Sequence, residues 1–167
     1  MEVNNVNGTT DLRFRMGNAR FDARTVAVIR SEDKILLQRM HGKPGYAFPG
    51  GGCAILETTK ETMERELTEE MGKKIEVKDM LFLIEDFFKY DGEEVHQYAF
   101  YYNVEFKDEI DFNKTIEGVE EGKNLYFEWV DISEFVKEEF PLKPAFLKEA
   151  IKNNKDNNFK HYIIKEY

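Results

Sequence analysis

The chain has 167 residues, 41% hydrophobic and 14% aromatic, which sets the expectation of one globular domain with a sizeable core. A net charge of −9 excludes a generic binder of nucleic-acid backbone, which needs a basic face, and leaves small phosphorylated ligands open, since a bound cation can bring an anion to an acidic protein. The single cysteine, Cys53, excludes an internal disulfide, no apolar run is long enough to span a membrane, and the first residues hold no apolar signal segment, so the expected location is cytoplasmic.

Taken in order, residues 1–18 are polar and read as an N-terminal arm or edge strand, with RFR at 13–15 its one strand-like piece; a domain over 19–167 follows. Two apolar runs, 25–30 and 34–40, flank Ser31-Glu32-Asp33 and predict a β-hairpin. Residues 41–48, HGKPGYAF, carry Gly and Pro signals for a loop leading into Pro49-Gly50-Gly51-Gly52. From that loop and the strand before it, Arg39 and Lys43 are candidates to meet phosphates, and Tyr46 or Phe48 to stack on a base; plain surface and core packing are the competing readings. Cys53, in the glycine turn, reads as packing, because no Cys/His arrangement activates it.

A helix is expected over residues 58–71. Thr58 with Glu61 makes a capping-box pair, Met63, Leu67 and Met71 recur every four residues, and Gly72 suits the left-handed residue that closes a helix. At about 100° per residue Glu66, Glu69 and Glu70 share one face, where each like-charge pair costs a few tenths of a kcal/mol. Lys60 and Arg65 alone offset five glutamates between 58 and 71, so something cationic should neutralise that face. A hard divalent ion does so through oxygen ligands and shares its remaining positions with water and phosphates.

Beyond the helix, 75–88 and 94–106 are long β-prone runs around Tyr90-Asp91-Gly92 and predict a second hairpin. His96, inside the second run, reads as a packed histidine. Residues 107–123 are charged and turn-rich, 125–130 is a strand, a helix begins at 131, and Pro144 opens another that carries Phe146, Leu147, Ala150 and Ile151 at helical spacing. The tail FKHYIIKEY adds a short strand, and the sum is an α+β domain.

From Gly51 the residues Glu57, Arg65, Glu66, Leu67, Glu69, Glu70 and Gly72 follow the pattern G-x5-E-x7-R-E-L-x-E-E-x-G. This stretch resembles the Nudix box of the Nudix (MutT-type) hydrolases; it differs at Lys73, where an aliphatic residue is usual, and at Ala54 and Leu56, where many members have Glu and Gly. The resemblance implies a mixed β-sheet sandwiched between α-helices and a Mg²⁺-dependent pyrophosphohydrolase, with Mn²⁺ as an alternative ion. It implies that Glu66, Glu69 and Glu70 are metal ligands and that Glu66 or Glu70 handles the attacking water. Glu57 and Arg65 would tie turn to helix, and Gly51 and Gly52 would let backbone approach the substrate. A further glutamate from a later loop, Glu120 or Glu121, would join the metal, and Tyr90 stands where dinucleoside polyphosphate hydrolases of the family carry a tyrosine. The implied substrate is a small nucleotide: a nucleoside diphosphate derivative, a (d)NTP or a dinucleoside polyphosphate. A nucleotide-sensing module of the fold, or a diphosphate isomerase relying on Cys53, are the alternatives, and the aromatic strand 94–106 is compatible with a homodimer.

Overall fold

The computed structural model describes residues 11–166. Among the described residues, nine strands form two sheets. The larger contains β1 (Arg13–Met16), β2 (Ala19–Val28), β6 (Glu93–Phe106), β5 (Ile75–Tyr90) and β9 (Lys160–Lys165) in that spatial order, with β4 (Gly50–Gly52) paired to β2. It is mixed: β2 with β6 and β5 with β9 are parallel, whereas β1 with β2, β4 with β2, and β5 with β6 are antiparallel. The smaller sheet runs β3 (Lys34–Met40), β8 (Leu125–Asp131), β7 (Ile116–Glu117), all antiparallel.

The pattern of β2 explains its central place. Val26, Ala27, Val28 and Ile29 are buried in succession, as in a strand covered on both faces. Val26 and Val28 face one core with Phe82, Ile84, Tyr101, Phe135, Leu147 and Ile151. Ala27 and Ile29 face the other, filled from α1 (Thr59–Met71) by Met63, Leu67 and Met71. Burying each of those side chains stabilises the helix–sheet contact by roughly 1.5–3 kcal/mol. The helix has the expected ends: Thr58 accepts from the Glu61 amide, Glu61 accepts from the Thr58 amide, and Gly72 closes it with φ +64°.

Two expectations are corrected. The runs 25–30 and 34–40 meet at a tight turn, through Ser31 N–Lys34 O and Leu36 N–Ile29 O at 2.9 Å each, but do not continue as a hairpin. β2 pairs instead with β6, and β3 with β8, because β2 must lie between two layers while β3 leaves for the second sheet. The C-terminal helices are also shorter than their apolar spacing predicts: α2 spans Ile132–Phe135 and α3 spans Leu147–Lys152, beginning three residues after Pro144. Phe135, Leu147 and Ile151 nevertheless fill the core as the spacing requires. The hairpin of β5 and β6 and the tail strand are found where expected, and among the described residues no helix is long and apolar enough to cross a membrane.

Candidate active site

The glycine strand β4 lies against the start of the helix for a steric reason. A Cβ built on Gly51 would stand 2.2 Å from the Glu66 carboxyl group, so this carboxylate rests on the bare backbone of the turn. Gly52 lies in the same way beneath the Asp11 carboxylate, 2.6 Å from a built Cβ.

A polar brace then holds turn to helix. Arg65 Nε donates to Glu57 Oε1 at 3.0 Å, and Arg65 Nη1 donates to Glu66 Oε1 at 2.7 Å and Glu69 Oε2 at 3.1 Å. Thr62 Oγ1 donates to Glu57 Oε2 at 2.9 Å, and Thr62 accepts from the Ala54 amide at 3.4 Å. The Arg65 guanidinium holds the Glu57 carboxyl below its ordinary pKa, and the same bonds raise the pKa of Arg65. One planar fork thus touches three of the glutamates, a geometry lysine cannot reproduce.

The carboxylates differ in exposure. Glu66 and Glu70 are 8% and 3% exposed, whereas the Glu69 side chain is half exposed. Burial raises the pKa of Glu70, Lys123 opposing it, and Oε2 of Glu70 is buried without a hydrogen-bond partner. Facing them is the loop before β8. Val119 N donates to Glu70 O at 2.9 Å, which brings Glu120 to the cluster; Glu121 makes no ion pair with it.

Lys123 stands among these acids. Its Nζ lies 2.8 Å from Glu120 Oε2, 3.0 Å from Glu70 Oε1 and 3.9 Å from Glu66 Oε2. Desolvation works against this ammonium, but the bonds to Glu120 and Glu70 outweigh it and its pKa is raised. Among the described residues no three acidic, histidine or cysteine side chains converge as ligands around one point. The donor set fits a hard cation nonetheless: oxygen atoms from two elements, one of them buried and unpartnered, which is costly unless a positive charge or a donor reaches it. Sequence reasoning passed over Lys123 and Thr62. The spacing of Lys123 three residues after Glu120 is a signal, but not one that names Glu70.

The other candidates are dispersed. Arg39 is taken up locally, 3.6 Å from Glu128 and over the rings of Tyr46 at 4.7 Å and Tyr126 at 5.5 Å. Lys43 is exposed in the loop before the turn. Phe48 is buried in the core against Tyr101 and Phe135, so its faces are not open to a base. Tyr90 is exposed at the tip of the β5–β6 hairpin, level with the start of β2. Five residues of β2 separate that start from Arg24, the partner of Gly52, roughly 17 Å at about 3.3 Å per residue. His96 stacks on Phe87 at 4.2 Å with Phe21 and Tyr98 edge-on, a packed histidine. Cys53 is buried and its thiol is pushed up to about 11, mainly by desolvation, the surroundings of a packed thiol rather than an activated one.

The fold and turn have known counterparts. Over 66 residues, 40% of this chain and 43% of the relative, the chain is 30% identical to an RNA pyrophosphohydrolase of Francisella philomiragia subsp. philomiragia, so it spans less than half of that protein's length. Among solved structures, the E. coli ORF135 protein superposes with a TM-score of 0.58 at 22% identity, covering 85% of this chain and 96% of that one. The MutT protein of Methanosarcina mazei Go1 gives 0.58 at 21%, covering 81% and 96%. At these identities the likeness is one of fold. The family model described as NUDIX domain matches residues 20–151, glycine turn and helix included, and the chain belongs to the Nudix family.

Proposed function

We propose that the chain hydrolyses the pyrophosphate linkage of a small nucleotide, a nucleoside diphosphate derivative, (d)NTP or dinucleoside polyphosphate, using Mg²⁺ or Mn²⁺ held by Glu66, Glu69, Glu70 and Glu120. The observation that carries this reading is Glu70, a carboxylate 3% exposed with one oxygen unpartnered, beside Glu120 and beside Glu66, which rests on the bare backbone of Gly51. When bound, such an ion neutralises phosphate charge and lowers the pKa of a coordinated water.

The chain's own residues supply positioning. Arg65, through Glu57 and Glu66, fixes the turn relative to the helix, so the ligands do not have to be ordered at the moment of binding. Glu69, half exposed on its helix face and bonded to Arg65 through Oε2, offers its carboxylate to solvent and substrate, while Glu66 or Glu70 orients the attacking water. Lys43, exposed in the loop that leads into the turn, is the cation assigned in this reading to meet the anionic substrate.

The test is a panel of nucleoside triphosphates, dinucleoside polyphosphates, ADP-ribose, nucleotide sugars and a 5′-triphosphorylated RNA, assayed for released phosphate or nucleotide with Mg²⁺ and with a chelator. Chelator-sensitive cleavage of one class is expected. A protein that binds Mg²⁺ and cleaves nothing in the panel would turn the reading to a nucleotide-binding module without turnover.

A further inference from the structure

The glutamate face of α1 needs a cation, and in this structure a side chain provides it. Lys123 reaches Glu70, Glu120 and Glu66 from a turn held at both ends: Val119 N bonds Glu70 O at 2.9 Å, and His41 N bonds Asn124 O at 2.9 Å. With the backbone held, the ammonium can leave only by rotation of its four-carbon stem, and a side chain 41% exposed has solvent to turn into.

A Mg²⁺ ion binds carboxylate oxygens at about 2.0–2.1 Å and demands a near-octahedral shell. An ammonium 3.0 Å from Glu70 Oε1 occupies the space and the charge that such an ion would take. We propose that Lys123 is an internal competitor of the metal: its ammonium neutralises Glu66, Glu70 and Glu120 in the metal-free protein and swings out of the cluster when a divalent cation binds. This rests on the metal reading above and adds to it a residue that sets metal affinity. The exchange lets the acids share one face before an ion binds: Lys123 offsets their repulsion until the metal replaces it. Since anything that holds the competing state lowers apparent affinity by the fraction it occupies, an ammonium in place nine-tenths of the time weakens metal binding about tenfold.

Two measurements on the full chain test this without substrate. The first is calorimetric titration of wild type and Lys123→Met with MgCl2 and with MnCl2, together with thermal melting of both. Lys123→Met keeps the stem and removes the charge. It is expected to bind the metal about tenfold more tightly, to melt lower than wild type without metal, and to regain the wild-type midpoint at saturating metal. The second is an amine-labelling footprint of wild type read by mass spectrometry. Lys123 is expected to label severalfold faster with saturating Mg²⁺ than without, while Lys78, paired to Glu76 at 2.8 Å and outside the cluster, keeps its rate. Metal affinities within twofold of each other, or a Lys123 label rate unmoved by Mg²⁺ that calorimetry shows to be bound, would overturn the exchange and leave the metal reading intact. If neither protein binds a divalent ion, both readings fail. Should Lys123→Met not fold, the wild-type footprint decides alone.

Discussion

Asp86 offers the most quantitative prediction. It lies on β5 opposite Gln97 of β6 and Ile164 of β9, 7% exposed, with Oδ1 lacking a hydrogen-bond partner. Desolvation, then the nearby Glu166 carboxylate, raises its pKa from 3.8 to about 6. The folded state therefore holds this proton more tightly than the unfolded chain. The stability Asp86 contributes is fully present below about pH 4 and is lost as pH rises through about 6. At 1.36 kcal/mol per pH unit the full penalty at neutral pH is about 3 kcal/mol, of which about 2 kcal/mol develops between pH 4.5 and pH 8. Asp86→Asn removes the titration and keeps the shape, so its stability relative to wild type should improve by about 2 kcal/mol between those pH values. That is a relative shift of roughly 4–8 °C in melting midpoint for a chain of this size. Comparing the two pH values cancels whatever the new amide costs by itself. Melting curves of both proteins at pH 4.5 and pH 8, in one ionic strength, measure it. A wild-type-to-mutant difference that is the same at both values would refute the raised pKa.

Three further outcomes follow from the site. Glu69→Gln, at a half-exposed position, should lower turnover by more than about 100-fold while leaving the melting midpoint unchanged, and full activity would remove the metal role assigned to it. Gly51→Ala places a methyl group 2.2 Å from the Glu66 carboxyl; a loss of about 1–3 kcal/mol in stability together with weaker metal binding is expected, and an unaltered protein on both counts would show that the turn is not pressed against Glu66. Leu56 is fully exposed with φ +68°, so Leu56→Gly should relieve left-handed strain and stabilise the fold by about 1 kcal/mol, read as a rise in melting midpoint; a fall would mean that this side chain packs on something.

The helix of the site was readable from the chain because everything that defines it is local. Thr58 and Glu61 are three apart, Met63, Leu67 and Met71 recur within one helix, and Gly72 closes it; the shared face of Glu66, Glu69 and Glu70 follows from helical geometry alone. The departure at Leu56 was legible too, and its left-handed backbone is the conformation that the usual glycine would adopt without strain. The long hairpin of β5 and β6 was equally accessible, since two β-prone runs around Asp91-Gly92 close on their own turn.

What failed, or stayed out of reach, depends on partners far along the chain. The turn at 31–33 formed, yet β2 took β6 as its neighbour some seventy residues away, because a strand buried on both faces pairs where the two layers require it. Phe48 was placed in the core by Tyr101 and Phe135, which no spacing near residue 48 announces. The acidic face itself demanded a cation from sequence alone, since like charges at helical spacing repel. Only the tertiary structure decided that Lys123, 53 residues from Glu70, would supply it, for that pairing exists once the 119–124 turn is packed against the end of the helix.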